Sequence, residues 1–329
     1  MPPKNSTKIF ICPECEKEIK PNTKFVKQEK SIIKEKEILS YFEHEINKIN
    51  YEDFIKSSFN IKSVQSGALK ILFQSLSKYL DEIILKITEK QISFLKVSED
   101  NVMFHLKLKS ELFEHYQVNE NKSVCNDLEE IKETEIIYLK VDLKGMKKIA
   151  NKINNDDTLC FRKEKDCDFW ELKFKNYEEK TCSTYKFKNN VDIIDEIKIN
   201  RKSFKCNLSI LYYFIDETIK KMDVLLPKNL NIEINEQYLD FSAENNEKTI
   251  GCENKIFFSE NCSINSSEEE YKTEIINGKY SFNKIKSIQS FLNLCNCIDI
   301  FTNQDDIIVF FISVASLGEL KICIAPIID

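Results

Sequence analysis

Histidine is almost missing from this chain, with three among 329 residues, and glycine is scarce at 5. Together these shortages leave little room for enzyme chemistry. There is no phosphate-cradling glycine-rich loop, no nucleophile elbow, and no pair of acid/base carboxylates at metal-ligand spacing. Asp156-Asp157 and Asp305-Asp306 read as turns between strands. No apolar stretch follows a basic start, so no secretory signal is expected. The longest apolar run, Ile307 to Ala315, is far too short to span a bilayer, so an intracellular protein without a membrane partner is the expectation. An excess of basic charge is lacking too: a net charge of −6 argues against a simple basic nucleic-acid-binding domain. Where the charges sit can still matter more than their sum.

What is present is apolar matter and lysine. At 42% hydrophobic residues the chain can build sizeable cores, and its length suggests two domains or one domain with attachments. Its 12 cysteines are scattered mostly through apolar runs, which reads as reduced core residues and not as the framework of a small secreted fold. No disulfide is expected. Abundant Lys, Ile and Asn with so little Gly are compatible with A/T-rich coding.

Residues 1–57 form a lysine- and glutamate-rich opening. Cys12-Pro-Glu-Cys15 has the knuckle spacing of a zinc site, but a structural zinc needs four ligands, and no second close pair follows; His44 is the nearest partner. The pair is read as exposed thiols, with no metal and no other cofactor. Glu35-Lys-Glu-Ile-Leu-Ser-Tyr-Phe42 sets Ile38, Tyr41 and Phe42 at one-turn helical spacing, as an amphipathic helix would.

From Phe59 the pattern turns regular. Leu69, Leu72, Leu76 and Leu80 recur at helical spacing, with Lys70, Gln74, Ser77 and Lys78 on the other side. Strand-like runs follow at Ile83–Thr88, Gln91–Val97 and Val102–Leu108. A second helix runs from Asp142, a reasonable N-cap, to about Ile153, with Lys144, Lys147, Lys148 and Lys152 opposite Leu143, Met146, Ile149 and Ile153. Strands Thr158–Phe161 and Phe169–Phe174 come next. The order then returns: a helix over Ser209–Met222 ending in Lys220 and Lys221, strands Leu230–Ile234 and Tyr238–Ala243, and a helix from near Tyr280 with Lys284 and Lys286 outward. Strands Ile298–Phe301, Ile307–Ser313 and Leu320–Ala325 close the chain. The halves are offset by roughly 140 residues, which points to duplication of one α+β unit. Between them Lys188 to Ile199 alternates acids with aliphatics and reads as an extended linker. The expected organisation is an opening extension (1–57), a first domain (58–187), a linker (188–202) and a second domain (203–329).

Four stretches carry a resemblance to the proliferating cell nuclear antigen family of DNA sliding clamps. Gln65-Ser-Gly-Ala-Leu-Lys70 looks like the start of that family's first channel helix. Phe94 to Tyr116, with Val97-Ser-Glu-Asp-Asn-Val102, Leu106-Lys-Leu-Lys-Ser-Glu111 and Phe113-Glu-His-Tyr116, is similar to its signature stretch. Tyr238-Leu-Asp-Phe-Ser-Ala243 is similar to the counterpart in the second domain. The ending, a Gly-x-Leu-Lys strand from Gly318 followed by Ala325-Pro326 and a terminal acid, resembles the family's closing strand. The match covers about 59–329 and leaves the opening unmatched.

The resemblance implies a two-domain α+β clamp fold, normally assembled as a homotrimeric ring with helices lining a hole and antiparallel sheets outside. The expected function is that of a non-enzymatic processivity factor for DNA replication and repair. It would encircle duplex DNA, tether a DNA polymerase, recruit ligase- or nuclease-type partners and be opened by a separate clamp loader, in the nucleus or at a cytoplasmic viral replication site. The alternative is a checkpoint-type subunit or a monomeric processivity factor on the same fold. The lysines Lys70, Lys78, Lys144, Lys147, Lys148, Lys152, Lys220, Lys221, Lys284 and Lys286 are then the candidate DNA contacts, since lysines attract phosphates without reading sequence. Asp216 and Glu217 weaken that expectation for the third helix.

The family's docking pocket, carried over by position, would comprise Val97, Asn101, Val102, Phe104, Ile194, Ile197, Ala325, Pro326 and Ile327. Asn101 stands where cellular clamps usually have His, and Cys323 where they usually have Tyr. By the same resemblance Glu35–Phe42 has the anchor spacing of the clamp-docking motif, with Glu35 in place of Gln. Acids such as Glu268–Glu270 and Asp192–Glu196 are expected on the rim. The subunit contact would pair edge strands near Asp168–Lys175 and Cys252–Ser259.

Overall fold

In a computed structural model the described residues are 57–118, 136–165, 167–191, 204–235, 237–258, 262–264, 276–303 and 307–327, preceded by two short strands, β1 (Phe10–Ile11) and β2 (Glu18–Ile19). The chain divides into two compact units, Met1–Lys56 and Ser57–Asp329. In the first, β1 and β2 pair antiparallel. Cys12, Cys15, His44 and the Glu35–Phe42 segment lie outside the described residues.

The second unit runs twice through one string of elements. Its first pass is β3 (Ser57–Ser63), α1 (Ser66–Leu76), β4 (Glu82–Ile87), β5 (Gln91–Val97), β6 (Val102–Lys109), β7 (His115–Val118), β8 (Ile137–Asp142), α2 (Leu143–Ala150), β9 (Thr158–Glu164), β10 (Phe169–Asn176) and β11 (Thr181–Lys188). Its second pass is β12 (Phe204–Leu211), α3 (Tyr212–Asp223), β13 (Asn229–Ile234), β14 (Tyr238–Glu244), β15 (Gly251–Phe257), β16 (Cys262–Ile264), β17 (Ile276–Ser281), α4 (Phe282–Lys286, continued by a 3-10 turn over Ser287–Leu294), β18 (Cys297–Asn303), β19 (Ile308–Val314) and β20 (Gly318–Ile324). Each pass builds one five-stranded and one four-stranded antiparallel block, ordered β11-β10-β9-β3-β7 and β6-β5-β4-β8 in the first, β20-β19-β18-β12-β16 and β15-β14-β13-β17 in the second. Strands β20 and β6 pair from Gly318↔Leu108 to Ile324↔Val102, which fuses the second pass's five strands and the first pass's four into one nine-stranded sheet.

Local chemistry explains most of these elements. Asp142 caps α2 by accepting a hydrogen bond from Lys144 N at 3.0 Å, and Leu143, Met146 and Ala150 bury one face. The β13–β14 turn is tied by Asn235, whose Oδ1 accepts from Gln237 N and Tyr238 N. Along the strands the burial alternates, as in β4 and β6, so every second side chain enters the core and the next faces outward.

The core joins both passes. Tyr79, Phe104 and Phe291 form a triangle of rings with centroids 5.9, 6.0 and 5.9 Å apart, drawn from the chain after α1, from β6 and from the 3-10 turn. At the junction Gly318 lies so close to β6 that a Cβ would collide with the Lys107 carbonyl.

Three expectations need correction. Ser209 to Leu211 belong to β12 and not to a helix, because they pair with Cys297 to Asp299 of β18. The last helix begins at Phe282 and not near Tyr280, since Tyr280 is in β17 against Leu230. The stretch Asp168–Lys175 is not an edge: β10 is paired on one side with β9 and on the other with β11, and β11 is the edge. Of the linker, 192–202 lies outside the described residues; Asn189 at its start donates to Tyr138 O and accepts from Lys140 N.

Candidate nucleic-acid interface

The helices pack side by side in the order α2, α1, α4 with its 3-10 turn, and α3. Small polar contacts fix the row. Gln74 donates to Asn151 Oδ1 at 2.7 Å between α1 and the end of α2, and Gln289 donates to Asp216 Oδ1 at 2.9 Å between the 3-10 turn and α3. Ser75 donates to the Ser290 carbonyl, which joins α1 to the 3-10 turn.

The ten candidate lysines fall into two classes on this layer. Lys70 is structural: its ammonium donates to the Ile153 carbonyl at 2.7 Å, just past the end of α2. Lys144 pairs with Asp81 at 2.9 Å, and that hydrogen bond is the main cause of its raised pKa. Lys220 lies 2.6 Å from Asp216 and 3.1 Å from Glu217, which likewise hold it protonated. Lys286 sits 2.6 and 2.7 Å from the two carboxylate oxygens of Asp223, and Lys221 donates to Asn254. By contrast, the ammonium groups of Lys78, Lys147, Lys148, Lys152 and Lys284 have no hydrogen bond or ion pair among the described residues. Lys147, Lys148 and Lys152 are exposed and adjacent on α2 and the turn after it. Unpaired cation is therefore concentrated at the α2 end of the row, while α3 neutralises itself with Asp216, Glu217 and Asp223.

The expected docking residues also separate. Val102 and Phe104 are 3% and 0% exposed, on the core side of β6; Phe104 belongs to the aromatic triangle. Neither is available to a docking peptide. Asn101 occupies a tight turn with φ 58, which asparagine tolerates, its N–H donating to Ser98 O. Val97 is exposed, Ile194 and Ile197 lie outside the described residues, and Ala325 to Ile327 continue past β20, where Ile327 N donates to Lys279 O.

The outward side of the nine-stranded sheet adds Phe301, Val309 and Met103, which sequence reasoning missed, to Val97 and Cys323, which it named. Phe301, Val309, Cys323, Met103 and Val97 stand directly opposite one another on β18, β19, β20, β6 and β5, forming one apolar row across five strands in which Val309 is covered, at 4% exposure, and Cys323, Met103 and Val97 are the open part. The next row carries Phe311, Lys321, His105 and Leu95, with the Lys321 ammonium 4.6 Å from the Phe311 ring centroid. Strand parity was the available signal: once Phe104 is core, Met103 must face out.

Asp157 is buried and accepts from Asn154 N and Asn176 Nδ2, a turn function; Asp305 and Asp306 lie outside the described residues. Among the described residues no group of three or more His, Cys, Asp or Glu is arranged to hold a metal ion, and no helix is long and apolar enough to cross a membrane.

No family model matches the chain. A protein described as a probable DNA polymerase sliding clamp 1, from Paramecium bursaria Chlorella virus 1, is 24% identical over 282 residues, covering 82% of this chain and 97% of that protein. Over most of its length the chain is similar to a viral DNA polymerase sliding clamp. As expected for a clamp relative, the architecture is mixed, with antiparallel sheets and few helices.

Proposed function

We propose that this chain is the subunit of a homotrimeric DNA sliding clamp. It encircles duplex DNA, tethers a polymerase and, through the apolar patch Cys323–Met103–Val97 on the outward face of the nine-stranded sheet, receives docking peptides from ligase- or nuclease-type partners. It performs no chemistry itself; its effect is to raise the effective concentration of an enzyme at the DNA. A separate loader would open the ring. The free lysines at the α2 end supply loose, sequence-independent attraction to phosphates, which suits sliding.

The observation that carries this reading is an unmated pair of edges. Within the chain the five-stranded block of the second pass is joined to the four-stranded block of the first by β20·β6. The mirror junction, between five-stranded β11 and four-stranded β15, is not made among the described residues, where both strands end their sheets. A second copy can supply each edge with the mate that the internal junction already illustrates, and repeating that step closes a ring.

The internal junction also sets the register. The bulges at Ser57/Phe59 and at Phe204/Cys206 make the two five-stranded blocks equivalent, with Tyr185 at the place of Ile322. The turns closed by Thr88 N to Gln91 O and by Asn235 N to Tyr238 O align the four-stranded blocks, with Cys252 at the place of Phe104. Ile322 faces Phe104, so Tyr185 should face Cys252 of the next copy.

The test is mass and register together. Light scattering should give three times the 38.7 kDa chain mass. Tyr185→Cys should crosslink to Cys252 of a neighbour on mild oxidation, because directly opposed strand residues lie about 4.5–5.5 Å apart, within disulfide reach. Cys252→Ser should abolish the crosslink. A stable monomer at every concentration would favour the monomeric processivity factor instead.

A further inference from the structure

The outward face of the five-stranded sheet β11-β10-β9-β3-β7 is basic, on a chain whose net charge is −6, and this departs from the acidic exterior expected from the sequence. Strand pairing places its side chains in rows. One row holds Lys186, Glu171, Arg162, Asn60 and Gln117; the next holds Thr184, Lys173, Cys160, Lys62 and His115. Lys175 stands between Cys182 and Thr158 beyond them, and Lys188 faces Phe169 at the other margin. Six cations, Lys62, Arg162, Lys173, Lys175, Lys186 and Lys188, thus share one face with a single central carboxylate, Glu171; Arg162 is covered, at 8% exposure, which leaves the five lysines as the accessible charges.

Glu171 is shared by two of them, with Lys173 at 2.9 Å and Lys186 at 3.2 Å. Partial burial opposes its charge, but hydrogen bonds from those lysines hold its carboxyl below the usual range. Arg162 pairs with Glu164 at the margin at 3.1 Å. The cations are close enough to act on one another's neighbours: Lys62 helps keep His115 neutral behind the larger effect of its desolvation, and Lys62, Lys173, Lys175 and Arg162 all pull down a Cys160 thiol that burial pushes up. Phe169, 44% exposed beside Lys188, is the large apolar side chain of this face that stands open to solvent.

We propose that this sheet face binds single-stranded nucleic acid, separately from the helix layer. Within a row the cations stand two strands apart, about 9.6 Å (Lys186 and Arg162, Lys173 and Lys62), and along β10 and β11 they repeat at about 6.7 Å (Lys173 and Lys175, Lys186 and Lys188), spacings that a flexible polyphosphate can follow across the sheet. Phe169 offers a ring on which an unpaired base can stack. Glu171, an ionised acceptor, can take a hydrogen bond from an exocyclic base amino group, whereas it would repel an acidic peptide. A duplex would touch so flat a surface along one backbone line only and would present no base face to Phe169.

The test uses the full chain and a labelled linear oligothymidylate, with affinity followed against salt. Lys62→Gln with Lys175→Gln removes two charges from the sheet interior that carry no ion pair among the described residues, away from edge β11, so the mass by light scattering should stay as in the wild type. Binding should weaken by about fivefold or more, and the salt slope should flatten by about 1.4, at roughly 0.7 per lost phosphate contact on a single strand. Phe169→Ala should weaken binding without moving the slope. Lys147→Glu with Lys148→Glu, on α2, should change oligothymidylate affinity by less than about twofold while impairing duplex binding. The proposal is overturned if the Lys62/Lys175 double variant binds as wild type with its mass unchanged, if the α2 variant alone loses the oligonucleotide, or if polyglutamate or duplex competes as well as the single strand.

Discussion

Lys286 of α4 closes on Asp223 of α3, its ammonium nitrogen 2.6 and 2.7 Å from the two carboxylate oxygens. Lys220 is held in the same way by Asp216 and Glu217. A lysine already paired must give up that partner before it can neutralise a phosphate, so these residues should contribute little to duplex affinity. On a short duplex, Lys147→Glu with Lys148→Glu should lower affinity by at least about tenfold and flatten the salt slope by about 1.8, at roughly 0.9 per phosphate contact. Lys220→Gln with Lys286→Gln should move the slope by less than about 0.5. Equal losses from the two double variants, read by fluorescence anisotropy with folding checked by circular dichroism, would refute the division of the helix layer.

Phe104 separates the core from the docking surface. Fully buried between Tyr79 and Phe291, it ties β6 to the 3-10 turn of the second pass. Phe104→Ala should cost about 3–5 kcal/mol in urea unfolding, as large-to-small changes at buried aromatics do. Met103→Ala, one residue away on the outward apolar row, should cost far less stability and should weaken binding of a peptide carrying aliphatic and aromatic anchors. Were Phe104→Ala to leave stability intact and remove peptide binding, the two faces of β6 would have been assigned the wrong way round.

What the sequence revealed depended on whether the signal was local. Helix α2 was readable because its N-cap, its apolar stripe and its lysines all lie within one short segment. The β4–β5 and β13–β14 hairpins were readable from apolar runs broken by a short polar turn. Edge strand β11 was missed because Thr181-Cys-Ser-Thr-Tyr-Lys-Phe-Lys188 buries only Tyr185 and Phe187 in part, leaving too little alternation to see. The end of β12 was read as helix because Leu208, Ile210 and Leu211 run straight into α3 without a breaker. The docking assignment erred at Val102 and Phe104 since an alternating strand announces two faces but not which one is core. The lysine pairing was out of reach for a different reason: Lys286 and Asp223 are 63 residues apart and meet only through packing.

His105 gives the pH dependence a definite sign. It faces outward on β6 between Lys107 on its own strand and Lys321 on β20, with Glu319 nearby and Leu95 opposite on β5. Partial desolvation first, and then the charges of Lys107 and Lys321, lower its pKa; Glu319 opposes them only in part. The folded chain therefore takes up this proton less readily than the unfolded chain, whose histidines titrate near about 6.5. Below that pH the unfolded state binds more protons, so stability from this group should fall as pH drops through about 6.5 and level off only below the lowered folded pKa. His115 adds a shift of the same sign. Urea midpoints measured between about pH 7.5 and 5.5 should decline on acidification, and His105→Gln should flatten the decline. A midpoint that rises on acidification in the wild type, or a slope that His105→Gln leaves untouched, would mean that His105 is not held neutral by its partial burial and the lysines around it.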